Sequence, residues 1–191
     1  MNLRNRFLAT AGAVLLVATT TLTGLAQTQQ ATGNATVSIT SDTTTNYLAV
    51  SVTNAAFGGY AYSFVDQTAA GSLTVTATDT RGTAAGWNVS LSASDFAAGT
   101  ERIAIANLAL TAGTPSALAF GGSTGSTAGV VATSAAPVQQ TGTSTSKILS
   151  AGVGSGAGQF QLPMTGALNI PGGTLVGSYT STVSVAIVSG P

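Results

Sequence analysis

Apolar and polar residues alternate with a period of two along most of the chain. Val37 and Ile39 alternate with polar positions over Ala35–Thr40, and Leu48, Val50 and Val52 do the same over Tyr47–Thr53. The polar run Ser41–Asn46 lies between them, so the pair reads as a hairpin-like start. After Gly58-Gly59, Tyr60, Tyr62 and Phe64 share one side of an extended segment, with Ala61, Ser63 and Val65 on the other. Asp66–Gly71 then reads as a turn into a central pair of alternating runs. These are Leu73, Val75 and Ala77 among threonines, and Trp87, Val89 and Leu91 among Asn88 and Ser90. The polar break Asp79-Thr80-Arg81-Gly82 between them predicts two antiparallel strands of one hairpin, with Trp87 on the buried face.

Further on, Ala97–Thr100 reads as a loop, and Ile103, Ile105, Leu108 and Leu110 as one or two strands. A bulge at Asn107 accounts for the change of parity there. Ala117–Phe120 is a short strand, Gly121–Gly129 and Ala132–Ser146 are Gly/Ser/Thr-rich loops, and two further strands carry Phe160, Leu162, Leu168, Ile170 and then Val183, Val185, Ile187. No helical apolar period appears beyond the N-terminus. Short alternating runs separated by turn residues predict an all-β, single-domain β-sandwich of short, mostly antiparallel strands.

The N-terminus departs from this pattern. Arg4 and Arg6, the apolar run Leu8–Val17 and the small residues up to Ala26 have the order of a secretory signal peptide. The domains expected are therefore a signal peptide over 1–26, a polar disordered lead over 27–34 and the β domain over 35–191. Without residues 1–26 the chain keeps three basic residues (Arg81, Arg102, Lys147) and five acidic ones, a formal charge of −2. That excludes nucleic acid, which needs a dense basic patch, and offers membranes no polybasic contact once the signal is removed. There is no cysteine, so an exported chain of this kind must be held by its core alone. About 150 residues suffice, since a domain of that size buries roughly 70% of its unfolded surface.

Catalytic chemistry finds few candidates. Histidine and cysteine are both absent, which removes Ser-His-Asp and Cys-His nucleophile systems and most zinc or copper sites. A Ser-Lys pair has only Lys147 to draw on, in a loose Ser/Thr-rich stretch. The acids Asp42, Asp66, Asp79, Asp95 and Glu101 are scattered; Asp79 and Asp95 approach each other only if the central strands pair. No Asp-rich loop is written for calcium. No catalytic residue, metal site or cofactor is expected, and the chain is not read as an enzyme. Leu162-Pro163-Met164-Thr165-Gly166 spells a sortase-type pentapeptide, but no basic tail follows, and it reads as a strand end and turn.

Two short segments carry a resemblance. Trp87-Asn88-Val89, preceded by Asp79-x-Arg81-Gly82 and Gly86, resembles the first signature of the WxL domain of bacterial surface proteins. Tyr179, Val183 and Pro191 stand at the spacing of the tyrosine, aliphatic and proline of the family's second signature. Val89 replaces the leucine of the first Trp-x-Leu; Val185 replaces the tryptophan of the second, with Ile187 at its leucine position. The resemblance implies a secreted bacterial protein at the cell surface, bound non-covalently to peptidoglycan or another wall polymer. It makes Asp79, Arg81, Gly82, Trp87, Val89, Tyr179, Val183, Val185, Ile187 and Pro191 the motif and wall-binding candidates. Two readings of Trp87 and Arg81 remain: a core anchor beside a turn braced by Asp79, or an aromatic and a guanidinium near a surface that touches the wall polymer. The alternative function is a self-assembling surface or fibre subunit, in which a terminal strand completes the sheet of another copy or another surface protein.

Overall fold

In a computed structural model of the chain, residues 48–142 and 144–191 are described. The expected signal peptide, the lead and the first strand at 35–40 lie outside them. In chain order the strands are β1 (Leu48–Val52), β2 (Gln67–Asp79), β3 (Trp87–Ala93), β4 (Phe96–Ala98), β5 (Glu101–Ile103) and β6 (Leu108–Ala112). They continue with β7 (Ser116–Phe120), β8 (Ser123–Thr124), β9 (Val130–Ala132), β10 (Ser146–Ala151), β11 (Gly158–Ile170) and β12 (Val183–Ser189). A 3-10 turn at Ile105–Asn107 joins β5 to β6.

Two antiparallel sheets form the body. One runs β1-β2-β11, with both β6 and β7 on the far side of β11 and β8 beyond β7; the other runs β12-β3-β10-β9. The alternation foreseen in the sequence decides which side chains meet. Leu73, Val75 and Ala77 of β2 and Phe160, Leu162 and Met164 of β11 face Trp87, Val89 and Leu91 of β3 and Leu149 of β10 in one continuous core. Each large apolar side chain buried this way contributes about 1.5–3 kcal/mol, which is how a chain without disulfides holds together. The all-β class follows directly from the sequence.

The central hairpin does not form. β2 pairs with β1 and β11, whereas β3 pairs with β10 and β12, so Thr80–Gly86 carries the chain from one sheet to the other. Period-two alternation marks the buried face of a strand and leaves its neighbours open, because the same face can pack across a sandwich or along a sheet. Several local readings change as well. Ala69-Ala70-Gly71 is strand rather than turn, since it pairs with Gly166-Ala167-Leu168 of β11. Ala97 and Ala98 lie in a β4–β5 hairpin, and the parity change near Asn107 is the 3-10 turn instead of a bulge. The irregularity in register falls in β10, between Lys147 and Leu149. The first long loop holds the short strand β8, and β9 lies between the two loops. Residues 60–65 form no strand: the backbone beside them, at Gly172 and Gly173, bonds them only at the Ser63 carbonyl, and Tyr60, Tyr62, Phe64 and Val65 stay exposed.

The pentapeptide Leu162–Gly166 is not a strand end. It occupies the interior of β11, with Leu162 and Met164 buried in the core and each of its residues paired with β2. Proline is tolerated because Thr74 exchanges its backbone bonds with Thr53 (N–H to Oγ1 2.9 Å; carbonyl from the Thr53 N–H 3.0 Å). Pro163, opposite Thr74, therefore turns its missing N–H away from β2. That side faces the break between β7, which ends its pairing at Gln161, and β6, which begins at Met164; the Pro163 carbonyl there accepts from the Gly113 N–H at 2.8 Å.

Candidate functional site

The two segments that carry the resemblance are neighbours in space. β3 and β12 pair in register, placing Val183 opposite Ala93, Val185 opposite Leu91, Ile187 opposite Val89 and Ser189 opposite Trp87. Asp79 closes β2 and is 3% exposed. Its Oδ1 accepts from the backbone N–H of Arg81 at 3.1 Å and from Nε at 2.9 Å, while Oδ2 accepts from Nη2 at 2.8 Å. The guanidinium also donates to the Gly86 carbonyl at 3.0 Å and to the Ser189 hydroxyl of β12. Hydrogen bonding to the Asp79 carboxylate is the main cause that raises the Arg81 pKa above its usual value; the charge attraction adds to it and burial opposes it. One arginine thus ties the ends of β2 and β12 to the start of β3.

Trp87 is fully buried against Phe160, with ring centroids 5.9 Å apart, and its Nε1–H donates to the Gly156 carbonyl at 2.8 Å. Two glycines make the seat. A Cβ on Gly156 would stand 2.6 Å from that indole nitrogen, and one on Gly86 would meet the Ala151 carbonyl oxygen at 2.5 Å. Asn88 extends the tie by donating from Nδ2 to the Gly190 carbonyl at 2.7 Å. Gly82 takes φ +67° in the exposed loop, and Pro191 is exposed. Val183, Val185 and Ile187 are half-buried on the core side of β12. Tyr179 stands apart from this cluster, before β12 begins, and its hydroxyl donates to the Leu175 carbonyl at 2.9 Å. The structure therefore gathers Asp79, Arg81, Trp87, Val89 and Ile187, and leaves Tyr179 at the other end of the sandwich. Trp87 presents no ring face to solvent.

The carboxylate pair weighed from the sequence is not assembled. Because β2 and β3 lie in different sheets, Asp79 sits before β3 starts and Asp95 beyond its end, about 20 Å of strand away. Asp95 instead accepts from the Ile105 N–H at 2.8 Å and positions the 3-10 turn. Lys147 lies in β10 opposite Ser90 rather than in a loose stretch. Among the described residues no group of three or more His, Cys, Asp or Glu side chains is placed to hold a metal ion, and no helix is long and apolar enough to cross a membrane.

A different feature occupies the end where Tyr179 lies. The segment 53–65 between β1 and β2 and the segment 171–182 between β11 and β12 enclose an open groove of about 1280 Å³. Its floor is the bottom of the core, including Leu73, Leu108 and Leu168. The Phe57 ring fills a slot made by the cross-strand pair Gly71 and Gly166, where a Cβ would lie 2.8 Å and 3.0 Å from the ring. It meets Phe96 edge-on at 5.8 Å. The two enclosing segments are tied to each other: Gly172 N–H donates to Asp66 Oδ1 and Gly173 N–H to the Ser63 carbonyl, both at 2.8 Å. Tyr60 and Tyr62, about half exposed, line the groove, and Phe64 packs edge-on against Tyr62 at its margin. Sequence reasoning registered these aromatics only as one side of an extended segment. The available signal was the aromatic run Tyr60, Tyr62 and Phe64 directly after Gly58-Gly59.

Comparison with protein families gives a match to the model described as "WxL domain surface cell wall-binding" over residues 33–190. Comparisons with curated proteins and with solved structures find no match.

Proposed function

The chain belongs to the WxL family of surface, cell-wall-binding domains, and on that premise we propose that it is exported behind residues 1–26 and held on peptidoglycan by non-covalent contacts, without catalysing a reaction. Its place is the cell surface, at the wall. The carrying observation is the span of the match: 33–190 takes in every strand from β1 to β12, so wall binding belongs to the whole sandwich rather than to an appendage. The non-covalent mode is supported by the pentapeptide. Its Thr165–Gly166 bond is paired with β2 on one side and β6 on the other, and a transpeptidase would need that stretch free and extended. A binding role rather than a reaction is supported by the chemistry of Asp79, whose two oxygens are occupied by Arg81.

Sedimentation of residues 27–191 with purified sacculi tests the proposal. Co-sedimentation that denaturant reverses, with no covalent adduct, is expected; protein left in the supernatant would sink the peptidoglycan reading. A second reading, assembly by strand addition, draws on β12, which among the described residues lies at the edge of its sheet and pairs there with β3 alone. It predicts high-mass species in size-exclusion chromatography.

A further inference from the structure

We propose that the groove between residues 53–65 and 171–182 is the glycan-binding cleft of this protein. Its ligand is the uncharged, N-acetylated sugar backbone of peptidoglycan, not an anionic wall polymer. The inference rests on the wall-binding reading above and names the surface and the ligand chemistry.

Three observations carry it. The first is size: at about 1280 Å³ the groove exceeds the roughly 300–1,000 Å³ of sites that enclose a small molecule, and it is open to solvent rather than closed over. The second is charge. Among the described residues no Asp, Glu, Lys or Arg lines the groove. The cations of the described residues lie outside it: Arg81 is locked to Asp79, Arg102 donates to the Gly99 and Glu101 carbonyls, and Lys147 is on β10. A phosphate-bearing polymer would find no counter-charge here, whereas a neutral sugar chain meets only hydroxyls, amides and rings. The third is the exposed aromatic surface. Tyr60 and Tyr62 present half-exposed rings on a segment braced by Asp66 and Ser63, and Leu175 and Val176 continue the apolar surface on the facing segment. The C–H faces of pyranose rings pack on such rings, while their hydroxyl and acetamide groups exchange hydrogen bonds with Thr and Ser side chains along the walls. Tyrosine suits this task because it offers a rigid apolar face with a polar tip.

The test compares the mature chain, residues 27–191, with its Tyr60→Ser/Tyr62→Ser double variant. Three probes are used: whole sacculi, sacculi stripped of anionic polymers, and glycan strands freed of stem peptides by an amidase. Buried Trp87 serves as the internal fold reporter, so its fluorescence and the Tm should be unchanged in the variant. The wild type is expected to bind all three probes. Its binding should persist when salt is raised from about 0.1 M to about 1 M, which shortens the screening length from roughly 10 Å to 3 Å. The double variant should bind at least about tenfold more weakly, the effect of losing a well-packed anchor. A folded variant that binds sacculi like the wild type would overturn the cleft assignment and leave wall binding standing. Loss of wild-type binding on stripping the anionic polymers, or release by salt, would overturn the ligand chemistry. Failure of the wild type on every probe would remove the wall-binding reading itself. A wild-type dimer that the variant dissociates, with sacculus binding intact, would assign the groove to a second copy of the chain and overturn the proposal.

Discussion

The two ends of the sandwich are built on opposite terms. At one end Arg81 ties Asp79, Gly86 and Ser189 together, Trp87 and Asn88 donate to the Gly156 and Gly190 carbonyls, and the large side chain there is wholly buried. At the other, the length of β2 away, or about 40 Å at roughly 3.3 Å per residue, tyrosines stand nearly half exposed and aliphatics more than half around an open groove. The end that carries most of the recognisable residues is the end with the least surface to offer. What can be recognised from a few residues at fixed spacing is a closed hydrogen-bonded tie, because such a tie admits few substitutes. A surface that packs against sugar rings tolerates many arrangements of aromatic and hydroxyl groups, and so leaves no compact signature.

This contrast can be broken experimentally. Trp87→Ala should have the largest effect, destabilising the fold by about 3–5 kcal/mol, as removal of a buried aromatic does. Urea titration measures it, and an unchanged midpoint would refute the role of the closed end as anchor. Asp79→Asn should follow at about 2–4 kcal/mol, because it leaves the Arg81 guanidinium, 16% exposed, without its carboxylate. Thermal melting checks that, and sacculus binding of the variant that remains folded should be retained. Gly71→Ala should cost about 1–3 kcal/mol by displacing the Phe57 ring. Unlike the first two it should also weaken binding, since Phe57 lies in the groove; a variant that loses stability and binds normally would separate the floor from the function. Phe64→Ser, at a position 83% exposed, should change stability by no more than about 0.5 kcal/mol.

Much of the fold was legible in the residue pattern. The all-β class, the burial of Trp87 and the strands β1, β2, β3, β6, β7, β11 and β12 follow from alternation, whereas β4, β8, β9 and β10 do not. The errors cluster where pairing partners decide. The Leu73 and Trp87 strands were read as one hairpin, yet their shared apolar face packs across the sandwich. Ala69-Ala70-Gly71 looked like a turn because small residues lack packing surface, yet opposite Gly166-Ala167-Leu168 they are strand, with Gly71 and Gly166 hollowed out for Phe57. The aromatic run 60–65 reads as an extended segment with two faces, and with a single backbone bond to Gly173 in place of a strand ladder it forms one side of a groove. In the pentapeptide, composition pointed to a strand end, while two-sided pairing placed it mid-strand.

By itself, the sequence determined the buried face of its alternating strands and which family the chain resembles, since both depend on residue type at short spacing. The tertiary structure alone decided which strands are neighbours, that Arg81 bridges three of them, and where aromatic surface is left uncovered. Those depend on contacts between residues 50–110 positions apart, such as Arg81 with Ser189 or Phe57 with Gly166. Local periodicity carries no record of such pairings, because every strand with the same alternating face is an equally good local candidate.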